Sequence, residues 1–310
     1  MPFSAATSPA SHRLRRPASE GKGPKKEIKF FTYNVWSRED VVVYERMEAI
    51  AGLVKKHNPD VIFFQEITPY IRSIFEKTAW WKGYHNSLEY HPEEQATKKQ
   101  QDFCLLLSKP SLENIAHRKF PESPTGRGYL EADINPDPAT AMMKPIRLAT
   151  TQLERPIPPA PMNCLERQAQ AMHAIVSLSR SANVVFGGDM SWDDATDAWT
   201  QLKNGSGDWT YDAIWNEEAA AFNGHVADQD NMRKRSDRFL CKLKDYKLRN
   251  IELIGGTDDL RSQFRTYTKY LRWDEYGFRT QIYLKPCCHR GLVLTIVPAL
   301  NIVFVVSPQV

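Results

Sequence analysis

The sequence predicts an α/β fold with its strands stacked as a sandwich of sheets, and two observations carry that expectation. Short apolar runs of strand length alternate with longer stretches of helical period, the pattern of layered α/β domains. Several of the apolar runs also end in a polar side chain. Side chains so far apart in sequence share a site only where strand ends converge on one edge of such a sandwich.

Residues 1–27 stand apart from this pattern. Arg13, Arg15, Arg16, Lys22, Lys25 and Lys26 face only Glu20 and Glu27 amid Pro, Ser and Gly, the composition of a flexible basic tail. It reads as a nuclear or nucleic-acid-contacting arm or, alternatively, as an organellar transit peptide. No repeat or interior linker divides the remainder, so residues 28–310 are expected to form one catalytic domain, atypical over 256–285.

The first strand is expected over Ile28 to Trp36, with Asn34 near its end. A helix follows from Val43 to His57, where Met47, Ile50, Ala51 and Val54 recur at helical spacing and Pro59 stands just beyond. Val61 to Phe64 is a fully buried strand running into Gln65 and Glu66. Ile71 to Trp80 is expected to be helical and Tyr84 to Gln101 to loop outward. Phe103 to Ser108 and Tyr129 to Ile134 are strands, joined by a connector that contains Gly126, Arg127 and Gly128.

Pro145 to Thr151 is a strand entering Gln152, Leu153 and Glu154, and Cys164 to Arg180 a helix. It leads into Asn183 to Gly188, a buried strand that delivers Asp189, Ser191, Asp193 and Asp194 to the loop beyond. A strand preceded by a basic turn is expected within Arg233 to Lys244, and a last strand over Gly291 to Val297 after Cys287, Cys288 and His289. Gly256 to Lys285 has no firm period.

The chain of 310 residues, with 42% hydrophobic content, holds ample material for a core, and its net charge of +4 permits an anionic partner such as nucleic acid. The longest apolar stretch, 296 to 306, contains Pro298 and Asn301, so a membrane span is not expected. Five cysteines in no pattern read as reduced thiols of an intracellular protein.

Asn34, Glu66, Asp189 and His289 each lie beside the end of an apolar strand. A carboxylate for a hard divalent cation, a second to orient or deprotonate water, an amide to hold a ligand oxygen and an imidazole to stabilise charge form the set that phosphodiester hydrolysis needs. Mg²⁺ takes one or two protein carboxylates and keeps several waters, so Glu66 alone suffices as its anchor. A Zn²⁺ site of Cys287, Cys288 and His289 is disfavoured, because successive residues entering a strand point to alternate sides. The basic run Arg233, Lys234, Arg235 and Arg238, with Trp209, Tyr211 and Trp215, reads either as phosphate attraction and base stacking for a single-stranded end or as a solvated turn beside core aromatics.

These residues carry a resemblance. Thr32 to Trp36, Phe64 to Glu66, Thr151 to Glu154, Gly188-Asp189 and His289 to Leu292 stand in the order and approximate spacing of the endonuclease/exonuclease/phosphatase superfamily. Within it, Gly187 to Trp192, Trp209 to Asp212 and Arg235 to Leu240 resemble the tyrosyl-DNA phosphodiesterase 2 family, in its plant form. The resemblance implies a two-sheet β-sandwich flanked by helices, the DNase I-like fold. It also implies a Mg²⁺-dependent hydrolase, with Mn²⁺ as substitute, that cleaves the phosphodiester between a topoisomerase tyrosine and a DNA 5′ end.

Carried over position by position, Glu66 is the metal ligand, and Asn34, Asp189 and His289 are catalytic. Gln152, Ser191, Tyr211 and Arg238 contact substrate, preferably a single-stranded terminus, in a monomeric nuclear enzyme. Other phosphodiester substrates of the superfamily, abasic DNA or RNA tails, and a catalytically weakened nucleic-acid-binding paralogue are the alternatives. Four positions depart from the family pattern. Gln152 stands for a His, Ser191 for an Asn, Asp193 for the Arg of animal members, and Cys288 for the Asp that holds the histidine. A thiol is a weak acceptor, so Cys288 should orient His289 poorly.

Overall fold

In the computed structural model the chain is described over residues 27–40, 42–89, 102–121, 123–136, 143–154, 164–191, 211–212, 233–234, 236–255 and 291–299. These residues form strands β1 (Ile28–Asn34), β2 (Val61–Ile67), β3 (His85–Asn86), β4 (Phe103–Ser108), β5 (Leu112–Lys119), β6 (Gly128–Ile134), β7 (Ile146–Gln152) and β8 (Asn183–Asp189). The short β9 (Tyr211–Asp212) and β10 (Arg233–Lys234) follow, then β11 (Asp237–Leu243), β12 (Tyr246–Ile254) and β13 (Gly291–Pro298). Helices α1 (Val43–His57), α2 (Pro69–Glu76) and α3 (Cys164–Leu178) lie between them.

The strands make a six-stranded sheet in the order β12-β13-β1-β2-β4-β3 and a five-stranded sheet in the order β11-β8-β7-β6-β5, with β9 and β10 paired separately. Each large sheet is antiparallel except for one parallel pair at its centre, β1 with β2 and β7 with β8. A parallel pair needs a long crossover, and α1 and α3 supply it. Helix α1 ends where Asn58 takes a left-handed conformation and its N–H caps the Val54 carbonyl, as the following Pro59 requires a stop.

The inner faces of the sheets meet through one apolar cluster that includes Phe30, Phe63 and Leu294 from the larger sheet and Leu130, Leu148, Val185 and Phe239 from the smaller. Phe31, Tyr33, Ile62 and Phe64, one residue out of phase, point the other way and pack with Met47, Ile50, Leu53 and Val54 of α1. Ala171, Ala174 and Leu178 of α3 cover Ala149, Val184 and Phe186 on the opposite outer face. Strands buried on both faces read as continuous apolar runs, and this is why β2 and β8 were legible, whereas β1, with Lys29 half-buried at its second position, alternates loosely. The result is the expected two-sheet sandwich flanked by helices.

Three local expectations need correction. Helix α2 starts at Pro69, capped by the Thr68 hydroxyl accepting from the Ile71 N–H at 3.1 Å, and ends by Glu76 rather than Trp80. The Thr78 hydroxyl donates to the Phe75 carbonyl at 2.5 Å and closes the last turn. Trp80 packs edge-on against Phe75 from outside the helix. The connector before β6 contains a strand, β5, and a further strand, β12, follows β11. Both lie at sheet edges and expose most of their side chains, so neither carries a hydrophobic signature. Tyr84 to Glu89 likewise holds the two-residue β3 and a short helical turn. No described helix is long and apolar enough to cross a membrane.

Candidate active site

The two parallel pairs end at the same edge of the sandwich, where open α/β sheets bind ligands. In the larger sheet Asn34 is the register partner of Gln65, and Glu66 comes next. In the smaller sheet Gln152 is the partner of Asp189, and Asp237 of β11 faces Asp189 from the other side. One layer below, the Gln65 amide donates to the Thr32 hydroxyl at 3.2 Å and to the Thr150 hydroxyl of the opposite sheet at 3.0 Å. That polar rung ties the sheets together directly under the site.

Asn34 stands between the carboxylates. Its Nδ2 donates to Glu66 Oε1 at 3.0 Å and to Asp189 Oδ2 at 2.8 Å, while its Oδ1 accepts the Trp36 N–H at 2.9 Å. Sharing one donor nitrogen brings the two carboxylate oxygens to within about 6 Å of one another, a separation at which like charges disfavour each other and a cation is favoured. Asn34 is therefore a brace between carboxylates. From the sequence, Asn34 is expected to be the amide that holds a ligand oxygen, and here both of its N–H groups donate to the carboxylates.

Glu66 is 5% exposed and accepts four hydrogen bonds from neutral donors. Oε1 takes Asn34 Nδ2 and Gln152 Nε2, the latter at 2.6 Å. Oε2 takes the Ser37 backbone N–H at 3.0 Å and the Ser37 hydroxyl at 3.1 Å. Such donors orient a carboxylate without neutralising it. On the other side Asp189 Oδ1 accepts the Ser191 N–H at 2.8 Å and its hydroxyl at 3.4 Å.

The backbone around these carboxylates is strained. Trp36, Glu66 and Ser191 have φ of 61°, 59° and 50°, a region costly for residues other than glycine and frequent at functional sites. At Glu66 the strain coincides with a register shift between β2 and β4 after Phe64, which re-aims the side chain. Gly188 has φ 152°, and any side chain there would strike the backbone of Thr151 on β7. The glycine lets β7 and β8 close up immediately before Asp189.

The donor set fits a hard divalent cation. Two carboxylates with hydroxyls beside them are oxygen ligands of the kind Mg²⁺ takes, with water completing its shell. Glu66 would hold it by exchanging one of its four donors for the ion. Among the described residues there is no cluster of three or more His, Cys, Asp or Glu, so a dedicated all-protein cage is not formed there.

Ser191 lies at the site as a partner of Asp189. Arg238 is buried in β11 beside Gly188 rather than displayed on a solvated turn. Tyr211 lies in β9, paired with Lys234 of β10. His289, Cys287, Cys288, Asp193, Asp194, Trp209, Trp215 and the basic tail lie outside the described residues. Strand β13 enters the larger sheet beside the Asn34 end of β1, with Leu292 opposite Thr32.

Ser37 and Arg46 were missed. Ser37 directly follows the quoted 32–36 stretch. Arg46 is fully buried and donates to the carbonyls of Val35 and Trp36, each at 2.9 Å, and to that of Arg38, which holds the loop carrying Ser37. A basic residue on the apolar face of α1 was the available signal for Arg46.

Cys104 is only half-buried by surface exposure, yet the protein packed around its sulfur pushes its thiol up to about 12. It therefore remains protonated at neutral pH and is no nucleophile. Alkylation of Cys104 by iodoacetamide at pH 8, followed by peptide mass spectrometry, is expected to run at least about tenfold slower in the folded protein than in urea. Equal rates would contradict the raised thiol pKa.

The Endonuclease/Exonuclease/phosphatase family model matches residues 31–195, more than half of the chain, from β1 through the loop after β8. The chain belongs to this family. The family is one of enzymes that hydrolyse phosphate esters, and Asn34, Glu66, Gln152 and Asp189 lie inside the matched region. No curated protein sequence matches the chain.

Solved structures share the fold of this family member at low identity. Zebrafish TDP2 complexed with single-strand DNA product is 18% identical over 88% of this chain and 99% of that one, with a TM-score of 0.61. Truncated Caenorhabditis elegans TDP2 is 20% identical over 87% and 98%, with a TM-score of 0.60. The human Nocturnin catalytic domain with bound sulfate is 14% identical over 88% and 94%, with a TM-score of 0.53.

Proposed function

We propose that the chain is a Mg²⁺-dependent 5′-tyrosyl-DNA phosphodiesterase, with Mn²⁺ as a substitute, which hydrolyses the bond between a topoisomerase tyrosine and a DNA 5′ end. The observation that carries the reading is the Asn34 amide bridging two buried carboxylates from opposite sheets at the ends of both parallel pairs. Support for the substrate comes from the quoted motif stretches and from the shared fold of the TDP2 structures, one of them holding single-strand DNA product.

Glu66 would hold a divalent cation, which would supply Lewis-acid stabilisation of charge developing on the phosphoryl oxygens. Asp189, held by Asn34 and Ser191, orients the attacking water and accepts its proton as the bond to phosphorus forms. The bond from phosphorus to the tyrosine oxygen breaks in line. A phenolate, with a conjugate acid of pKa about 10, leaves with little help from a general acid. Catalytic His289 stabilises the oxygen charge, and Tyr211 and Arg238 engage the single-stranded end. Residues 28–310 act as one monomeric catalytic domain in the nucleus, with 1–27 as a basic arm.

Purified protein is expected to release tyrosine from a single-stranded 5′-phosphotyrosyl oligonucleotide in Mg²⁺ and to lose that activity in EDTA. Turnover on abasic duplex and poly(A) is expected to be slower. Undiminished turnover in EDTA would sink the metal mechanism, and preferential cleavage of either comparison substrate would sink the substrate assignment.

A further inference from the structure

Arg127 precedes β6 on the 123–127 loop, its side chain 12% exposed. It points toward the site. Its Nη1 donates to Gln152 Oε1 and lies 3.9 Å from Asp102 Oδ1. The other end of the same amide, Nε2, donates to Glu66 Oε1 at 2.6 Å. A guanidinium only donates and a carboxylate only accepts. An amide between them has one satisfactory orientation, oxygen toward Arg127 and nitrogen toward Glu66.

The loop that brings Arg127 there is held by Glu154, two residues beyond Gln152. The fully buried Glu154 carboxylate accepts the Ser123 hydroxyl at 2.5 Å and the Thr125 hydroxyl at 2.9 Å. Ser123 Oγ in turn accepts the Arg127 backbone N–H at 2.7 Å. The Glu154 backbone N–H donates to Gln170 of α3 at 3.1 Å, which fixes the strand end from behind. Both polar side chains of the Gln152-Leu153-Glu154 stretch thus serve one geometry.

We propose that Arg127 is a positioning residue for the cation-binding carboxylate, acting through Gln152. The inference rests on the reading of Glu66 as the cation's anchor. Where the family places an imidazole, an uncharged amide keeps its orientation here because a fixed cation behind it selects one of its two flips. Partners that hold a metal ligand in place typically contribute 10–100-fold to metal affinity.

The test uses the full chain and Mn²⁺, followed by the electron paramagnetic resonance signal of the free ion, with turnover measured separately. Arg127→Met and Gln152→Met are each expected to weaken Mn²⁺ binding about tenfold, and the double variant no further, because the two residues form one relay. In the metal-free protein, the Gln152 side-chain amide resonance is expected to move to its unfolded position in Arg127→Met. If that variant fails to fold, Arg127→Lys carries the same test, with weakening of about threefold or more, since an ammonium lacks the planar fork.

Unchanged Mn²⁺ affinity, an unmoved amide resonance, multiplicative losses in the double variant or no Mn²⁺ binding by the wild type each overturn the proposal. An absence of phosphotyrosyl turnover beside the expected Mn²⁺ pattern refutes the substrate reading and leaves the relay standing.

Discussion

Glu66→Gln is expected to cut metal-dependent turnover by at least about a hundredfold, the scale on which lost electrostatic stabilisation is felt, and to destabilise the fold as well. The wild-type carboxylate receives two donors on each oxygen. A glutamine presents an NH₂ to one pair or the other, whichever way it turns, so donors face donors. Leaving such buried groups unsatisfied costs about 1–3 kcal/mol, or a fall of about 2–4 °C in Tm per kcal/mol for a domain of this size. Initial rates in saturating Mg²⁺ and calorimetry separate the two losses. Turnover equal to wild type would remove Glu66 from the chemistry.

Gly188→Ala is expected to lose about 2–4 kcal/mol of stability without touching a polar group of the site. The added methyl would meet the Thr151 backbone, with its nitrogen only 3.0 Å away, and φ is 152°. Backbone paired within a parallel ladder cannot swing aside as a side chain end can. The register partners Gln152 and Asp189 lie one step further along, so whatever folded protein remains should also bind cation more weakly. A urea midpoint within about 0.5 kcal/mol of wild type would refute the close approach.

Much of this arrangement was legible in the sequence because its physical causes are local. Strands β2 and β8 are buried on both faces, so each spells a short apolar run, β1 is apolar with loose alternation, and α1 has its stop signal in Pro59. Asn34, Glu66 and Asp189 each stand where such a run ends. The edge strands β5 and β12 were not legible, because their pairing is made by backbone and their side chains face water. Asn34's role as a brace was also hidden: its partners are 32 and 155 residues away, and spacing along a chain does not say which groups an amide will face. Arg46 and Arg127 escaped notice for a related reason. Arg46 directs its donors to backbone carbonyls, so only its place on the apolar face of α1 marks it, and Arg127 meets Gln152 and Asp102 across 25 residues of chain in each direction.

The bridging amide has a consequence for the order in which activity arrives. Each sheet contributes one carboxylate, and neither half holds both. A ribosome releases Asn34 and Glu66 early, yet Asp189 follows Asn34 by 155 residues, and loops that long close late in folding. A chain part-way through synthesis therefore lacks the paired carboxylates and offers no partly assembled site. Hydrolytic competence is expected to switch on with closure of the sandwich, so catalysis would report completed folding.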